Sequence, residues 1–154
     1  MKPVRVLALV VAAVLMGVMG SSAQAPASDA AKKLPPAILA AFRKSYPNAT
    51  IKGVAKETED GKTVWEVESI DEGLGRDLIY AVDGTVMVIE EEMAASSLPA
   101  AVTKALKAGY PGASIARAEK VTKGETVQYE IQLTGAAVTS VELMPDGTPV
   151  PEKK

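Results

Sequence analysis

The sequence has no cysteine and no histidine among its 154 residues. Without cysteine the chain forms no disulfide and carries no lipid on an N-terminal cysteine. The two absences together exclude Ser-His and Cys-His catalytic systems and the commonest zinc ligands. A Ser-x-x-Lys motif and a glycine-rich phosphate loop are also missing. Paired carboxylates remain as the candidates for acid–base chemistry, and we expect the protein not to be an enzyme and to need no cofactor.

Positive charge is in short supply as well. The chain has 17 basic and 19 acidic residues. Removal of a predicted signal peptide, residues 1–23, takes away Lys2 and Arg5 and no acid, which leaves 15 basic and 19 acidic residues and a net charge of −4. Duplex binding depends on clustered lysine and arginine against phosphates. The charge balance therefore argues against nucleic acid as a partner.

The N-terminus has the order of a secretory signal. Lys2 and Arg5 precede an apolar run, and small residues follow, with Ser21 and Ala23 at the −3 and −1 positions of a cut after residues 1–23. The run is shorter than the roughly 20 residues that a membrane span needs. We expect a periplasmic or secreted protein of a bacterial envelope with no stable membrane span after cleavage. An uncleaved N-terminal anchor is the alternative.

The chain contains a tandem duplication. The stretch "LPPAILAAFRKSYPNATI" begins at Leu34, and "LPAAVTKALKAGYPGASI" begins 64 residues later at Leu98. A fixed internal period is a signal of fold. The predicted organisation is a signal peptide at 1–23, a disordered leader at 24–33, one repeat at 34–97, a second at 98–150 and a tail at 151–154.

Each repeat predicts a helix followed by antiparallel strands. Apolar residues recur at helical spacing from Leu34 and from Leu98. Pro35 and Pro99 fit the first turn of a helix, and a Tyr-Pro pair ends each one. Alternating segments with Asp-Gly turns follow, and prolines cut the last strand short. The predicted fold is α+β, with one continuous antiparallel sheet of six to eight strands and two helices on one face.

The other face of this sheet is expected to be polar. In "TVWEVESI" the residues Trp65, Val67 and Ser69 alternate with Glu66 and Glu68, and the second repeat has Glu130 and Gln132 at the positions equivalent to the two glutamates. An antiparallel sheet can leave one face in water. Two interpretations remain: a solvated acidic face, or a partner-binding surface formed by Glu66, Glu68, Glu130 and Gln132.

Other acidic and aromatic residues carry further expectations. Glu90–Glu92 and the "DEGLGRD" segment with Asp71, Glu72 and Asp77 offer oxygen atoms of the kind calcium takes. The interpretation we prefer is a solvated strand end that discourages edge pairing and a flexible connection that turns at Gly73 and Gly75, so no metal site is predicted. Four aromatic side chains are expected in the core: Tyr46, Trp65, Tyr110 and Tyr129.

The order of these motifs resembles the PepSY-like family, also described as similar in fold to beta-lactamase inhibitor protein. The resemblance rests on Leu-Pro, a helix, Tyr-Pro, the strands "WEV" and "YEI" and the Asp-Gly turn, repeated from about Leu34 to Val150. It implies helices packed on one face of a sheet, and a protein that binds or restrains secreted proteases. The matching residues are scaffold positions, so no functional residue is carried over.

We therefore expect a non-enzymatic exported module that binds a protein or peptide through the open sheet face. A secreted hydrolase that the module restrains is one such partner. Two alternatives stay open. One is an envelope module that senses a small ligand or calcium through the acidic loops. The other is a structural envelope protein without a specific ligand.

Overall fold

A computed structural model of the chain describes residues 29–151 and contains one seven-stranded sheet with two α-helices. The strands follow one another across the sheet in chain order, each antiparallel to its neighbour. The elements are α1 (Pro36–Ser45), β1 (Thr50–Glu59), β2 (Lys62–Asp71), β3 (Leu74–Ala81), β4 (Val86–Glu92), α2 (Ala100–Gly109), β5 (Ser114–Lys123), β6 (Thr126–Thr134) and β7 (Ser140–Leu143). The predicted α+β class is confirmed. The predicted signal peptide and residues 152–154 of the predicted tail lie outside the described residues.

The duplication is visible in the backbone as well as in the sequence. Short 3-10 helices at Ala31–Lys33 and Ala95–Ser97 precede the two α-helices at the same offset as the sequence repeat. The pairing of β1 is irregular between Ile51 and Gly53, and that of β5 between Ile115 and Arg117. Ala31 is only 1% exposed and lies in the core. The folded part therefore begins inside the segment that was predicted as a disordered leader.

The helices form because each has one apolar stripe and defined ends. Ile38 and Phe42 of α1 are completely buried, and burial of a side chain of this size contributes about 1.5–3 kcal/mol. Pro35 caps α1 with φ −53° and ψ 140°, so the helix begins one residue after it. The Tyr46 N–H donates to the Phe42 carbonyl at 2.8 Å. Pro47 lacks an N–H and ends the helix there.

Both helices lie on the same face of the sheet, as predicted. Phe42 of α1 packs in one cluster with Val67 of β2, and Leu106 of α2 packs in a second cluster with Ile131 of β6. The strand register carries the row of Val67 across β3 and β4 to the side of β5 that contacts α2. The fold therefore has two cores, one under each helix, and both lie on one side of the sheet.

The "DEGLGR" segment is a tight hairpin and not a flexible connection. Strand β2 continues to Asp71 and β3 begins at Leu74, so only Glu72 and Gly73 form the turn. Their φ values of 52° and 85° are both positive, which matches the right-handed twist of the paired strands. The prediction that Gly75 helps to make the turn is wrong, because Gly75 lies in β3 and pairs with Ile70.

The second repeat ends early, as its prolines predict. After β7 the chain forms only an isolated bridge between Leu143 and Pro149, and the Val150 N–H donates to the Glu142 carbonyl at 3.1 Å. Proline has no N–H for a ladder of hydrogen bonds. The first repeat therefore supplies four strands and the second supplies three.

The repeated Asp-Gly-Thr turns fasten the sheet to the helices. Gly84 and Gly147 have φ values of +90° and +83°. A Cβ atom at Gly84 would lie 2.9 Å from the Ala37 carbonyl oxygen of α1, and one at Gly147 would lie 2.6 Å from the Ala101 carbonyl oxygen of α2. Only glycine lets the turn approach the first turn of the helix this closely.

This contact predicts that Gly147→Ala destabilises the fold more than an alanine in an open turn. Gly61 is the matched control, because its φ is +76° and nothing lies within 4 Å of an added Cβ. We expect Gly61→Ala to cost about 1 kcal/mol for its left-handed backbone and Gly147→Ala to cost about 2–3 kcal/mol. Urea unfolding of both variants measures the difference, and equal losses would contradict the proposed close packing.

Candidate functional site

The sheet surface opposite the helices, called the open face below, carries most of the charged side chains of the strands. Trp65 and Val67 pack under α1, so Glu66 and Glu68 between them project to the other side. The same alternation and the strand register place one set of carboxylates on this face. They are Glu57, Glu59, Glu66, Glu68, Asp77, Glu90, Glu92, Glu119, Glu130 and Glu142.

The four residues predicted to bind a partner all lie on the open face. Glu66 and Glu68 belong to β2, and Glu130 and Gln132 belong to β6. Strands β3, β4 and β5 separate the two pairs. The structure therefore puts the four on one surface but does not bring them together.

Three carboxylates that the sequence reasoning did not single out as a group lie between these pairs. Asp77 of β3 is directly opposite Glu90 of β4, and Glu119 of β5, which pairs with Glu92, lies diagonally across from Glu90. One carboxylate oxygen from each lies within 4.8 Å of the other two. We call Asp77, Glu90 and Glu119 the acidic centre. In the described part of the chain it is the set whose oxygen atoms could share one cation.

Burial and the proximity of other carboxylates raise the pKa values of several of these groups. Burial, together with the negative charges of Glu119, Glu130 and Asp77, raises the pKa of Glu90 to about 7. Burial, together with Glu57 and other nearby carboxylates, raises the pKa of Glu66 to about 7. The pKa of Asp77 is also raised, first by burial and then by Glu68. Glu66 and Glu90 are therefore partly protonated at neutral pH.

Glu119 is the most buried carboxylate on the open face. It is 4% exposed, and its Oε1 lies 2.8 Å from a guanidinium nitrogen of Arg117. Burial still raises the pKa of Glu119 to about 6, although the Arg117 charge acts in the opposite direction. Arg117 and Lys123 are basic residues on this face, where the carboxylates far outnumber them.

The acidic run Glu90–Glu92 is not a solvated strand end, so that prediction is wrong. Strand β4 lies between β3 and β5, and the carboxylates of the run alternate in direction. Glu90 lies on the open face, whereas the Arg76 Nε donates to Glu91 at 3.0 Å on the helix side. The Gly75 N–H donates to Glu92 at 3.1 Å. The run is therefore an interior part of the sheet, with two of its three side chains hydrogen-bonded.

The acidic residues Asp71 and Asp77, which the sequence offers as candidate calcium ligands, lie on opposite faces of the sheet. Asp71 accepts a hydrogen bond from Arg76 at 3.3 Å on the helix side, whereas Asp77 belongs to the acidic centre. The Arg76 guanidinium also lies 4.2 Å from the centre of the Tyr46 ring. Asp71 and Glu91 therefore hold Arg76 against Tyr46 at the end of α1. Their role is structural.

The aromatic side chains lie on the helix side of the sheet. The chain has one Trp, four Tyr and one Phe. The two hydrophobic clusters account for all of them: Phe42, Tyr46, Trp65 and Tyr80 in the first, and Tyr110 and Tyr129 in the second. The core positions predicted for four of them are confirmed. Tyr80, which is completely buried, was missed, although it stands at an inward position of the alternating strand "LIYA".

Three apolar side chains in the middle of the open face are covered by their neighbours, whereas Ile70 at the end of β2 is 41% exposed. Val64, Ile79 and Val121 are 2%, 8% and 1% exposed, although α1 and α2 both pack on the opposite side. They lie beneath the longer polar side chains of the adjacent strands. The surface that meets solvent on this face is therefore mainly carboxylate and amide.

Comparison with known proteins gives the family and the fold. A family model described as beta-lactamase-inhibitor-like, PepSY-like matches residues 27–87 and again residues 75–148. A comparison with curated protein sequences gives no match. Within residues 29–151, neither helix has the length and hydrophobicity needed to cross a bilayer.

Two solved structures are similar in fold. A candidate periplasmic protein from Bacteroides eggerthii superposes with a TM-score of 0.64 at 17% identity, covering 78% of this chain and 88% of that one. A BLIP-like protein from Bacteroides fragilis superposes with a TM-score of 0.60 at 17% identity, covering 78% and 85%. At this identity the likeness describes the backbone only.

The pKa values predict that the protein becomes more stable as the pH falls from neutral. Glu66, Glu90 and Glu119 have raised pKa values in the folded state, so the folded protein binds more protons than the unfolded chain between about pH 4.5 and 7. We expect the free energy of unfolding to rise by about 1–2 kcal/mol from pH 7.5 to pH 5.5, after allowance for solvent screening. Urea unfolding at the two pH values measures the change.

A single variant tests the origin of this pH dependence. Glu90→Gln should be more stable than the natural protein near neutral pH and should flatten the dependence, because it removes one group of the acidic centre. Glu125→Gln, in the exposed turn between β5 and β6, should leave it unchanged. An equal effect of both substitutions would assign the dependence to overall charge instead.

Proposed function

The chain belongs to the beta-lactamase-inhibitor-like, PepSY-like family, and from that premise we propose that it is a non-enzymatic exported protein that binds another protein or a peptide through its open face. A secreted hydrolase that the protein restrains is the partner we favour, because the resemblance noted in the sequence implies proteins of this kind.

The observation that carries the proposal is a broad polar sheet face that no described helix covers. Both α1 and α2 pack on the other side, and the face extends across all strands of the sheet. Half-buried carboxylates on a surface of fixed strands keep their positions, so little ordering entropy is lost when a partner binds. The four residues proposed to contact the partner are Glu66, Glu68, Glu130 and Gln132.

The same face is a poor candidate for catalysis. Carboxylates with pKa values near 7 can act as general acids, and Glu66 and Glu90 meet that condition. Their pKa values, however, rise for a shared reason, which is burial among other carboxylates of the sheet. The sequence has no cysteine or histidine to act as a nucleophile or base beside them. These features support binding over a reaction.

The proposed location is the bacterial envelope. The signal-like N-terminus supports export, and the similar protein from Bacteroides eggerthii is described as a candidate periplasmic protein. The absence of cysteine fits this location because neither core depends on the local redox state for its stability.

Capture from the envelope tests the proposal. The purified protein is immobilised, exposed to envelope extract of its own organism and washed, and the eluate is identified by mass spectrometry. We expect one enriched exported protein. The double variant Glu66→Lys with Glu130→Lys should fold normally, as judged by circular dichroism, and should lose about tenfold or more of this capture.

The matched control is Glu72→Lys with Glu125→Lys, which makes the same change in net charge at two exposed turn residues. It should capture the partner as the natural protein does. If the double variant on the open face retained full capture, this face would not be the binding surface. An eluate empty in both low and high calcium would remove the protein-binding function itself.

A further inference from the structure

We propose that the partner presents a basic surface, with lysine or arginine side chains directed at the carboxylates of the open face. This inference rests on the proposed function and names the chemistry of the partner. It depends on the charge of the face, on the placement of the aromatic residues and on the contrast between the two sides of the sheet.

The charged side chains of the open face are predominantly negative from one edge of the sheet to the other. Every strand contributes at least one carboxylate, and the basic groups on the same face are Lys62 at the start of β2 and Arg117 and Lys123 on β5. In strand order the charged groups of this face are Glu57 and Glu59 on β1, Lys62, Glu66 and Glu68 on β2, Asp77 on β3, Glu90 and Glu92 on β4, Arg117, Glu119 and Lys123 on β5, Glu130 on β6 and Glu142 on β7. A surface of this kind attracts and orients a cationic partner.

The face has no aromatic anchor to offer. Protein interfaces commonly obtain their affinity from tryptophan and tyrosine. All six aromatic side chains of this chain belong to the two cores on the other side. The apolar Val64, Ile79 and Val121 in the middle of the open face are nearly inaccessible, and the exposed Ile70 stands away from them at the end of β2. Recognition on this face therefore depends on carboxylate and amide groups, which form their strongest contacts with guanidinium and ammonium donors.

The opposite side of the molecule would repel the same partner. Lys44 of α1 and Lys104 and Lys107 of α2 are exposed, and Arg43 lies beside them, where it donates to the Ala49 carbonyl. The protein is thus acidic on the open face and basic on the outer surface of its helices. A basic partner has only one favourable orientation of approach.

A cationic partner would also relieve the repulsion among the carboxylates. Burial first, and then the surrounding negative charges, raise the pKa values of Glu66 and Glu90 to about 7. A nearby positive charge favours their ionised forms, so binding should release protons and weaken as the pH falls. Binding through uncharged groups would not show this linkage.

Two fluorescent peptides test the inference by anisotropy. One alternates arginine with serine, and the other has citrulline, the neutral isostere, in place of each arginine. We expect the purified protein to bind the arginine peptide saturably and the citrulline peptide at least about tenfold more weakly. Binding of the arginine peptide should weaken at high salt and by about tenfold or more between about pH 7.5 and pH 5.5.

Charge-neutral substitutions locate the binding. The variant Glu66→Gln, Glu90→Gln and Glu130→Gln keeps the shape of the open face and should weaken binding of the arginine peptide by at least about tenfold. The control removes the same number of charges from exposed residues elsewhere, with Asp29→Asn, Glu72→Gln and Glu125→Gln, and should bind as the natural protein does.

Several outcomes would overturn the inference. They are equal binding of the two peptides, no binding of the arginine peptide, and equal losses in both triple variants. A natural protein that sediments as a multimer, when the open-face variant does not, would make a second copy the occupant. If the envelope capture succeeds while the arginine peptide fails, the open face binds a partner that is not basic. If both fail, the proposed function fails with the inference.

Discussion

Each helix of this protein can cover only one side of the sheet, and that constraint divides every strand into a buried row and an open row. Residues alternate along a strand, so the side that receives α1 and α2 must take the apolar and aromatic residues. The chain has no disulfide to replace that burial. Its few aromatics are all used there. What remains for the other side is polar, and the open face follows from how the cores are built.

Much of this architecture can be predicted from the sequence because local residue patterns determine it and the second repeat shows the same patterns. The alternation around Trp65 places Glu66 on the open face before any coordinates are known, and the 64-residue period assigns Glu130 to the equivalent position. The acidic centre could not be found in this way. It depends on which residues stand opposite one another, such as Asp77 and Glu90, and the pattern within one strand does not contain that register.

The errors of prediction have the same origin. The run Glu90–Glu92 has no alternation in its residue types, so it resembles a solvated end. The neighbouring strands distinguish its residues, because Glu91 contacts Arg76 on the helix side whereas Glu90 joins the acidic centre on the open face. The "DEGLGR" segment suggested a loop because it has two glycines. A turn of two residues with positive φ requires only one of them, at Gly73.

The duplication accounts for the helices and strands of the scaffold but not for the acidic centre. Glu66 and Glu130 are equivalent and flank it, whereas Glu119 stands where the first repeat has Ala55. The centre arises where β3 and β4 of the first repeat meet β5 of the second. It is therefore a product of joining the copies, and neither copy alone would contain it.

Clustering carboxylates on half-buried positions lowers the stability of the folded state, and this protein has few means of compensating for it. Neutral residues at Glu66 and Glu90 would remove the repulsion without disturbing either core, because both lie on the side opposite the helices. Residues that reduce stability without serving the packing are commonly those that function requires. The repulsion has a direct physical remedy, which is a positive charge brought to the face from outside. A surface that is unfavourable alone and favourable in a complex is suited to a protein whose task is to hold another.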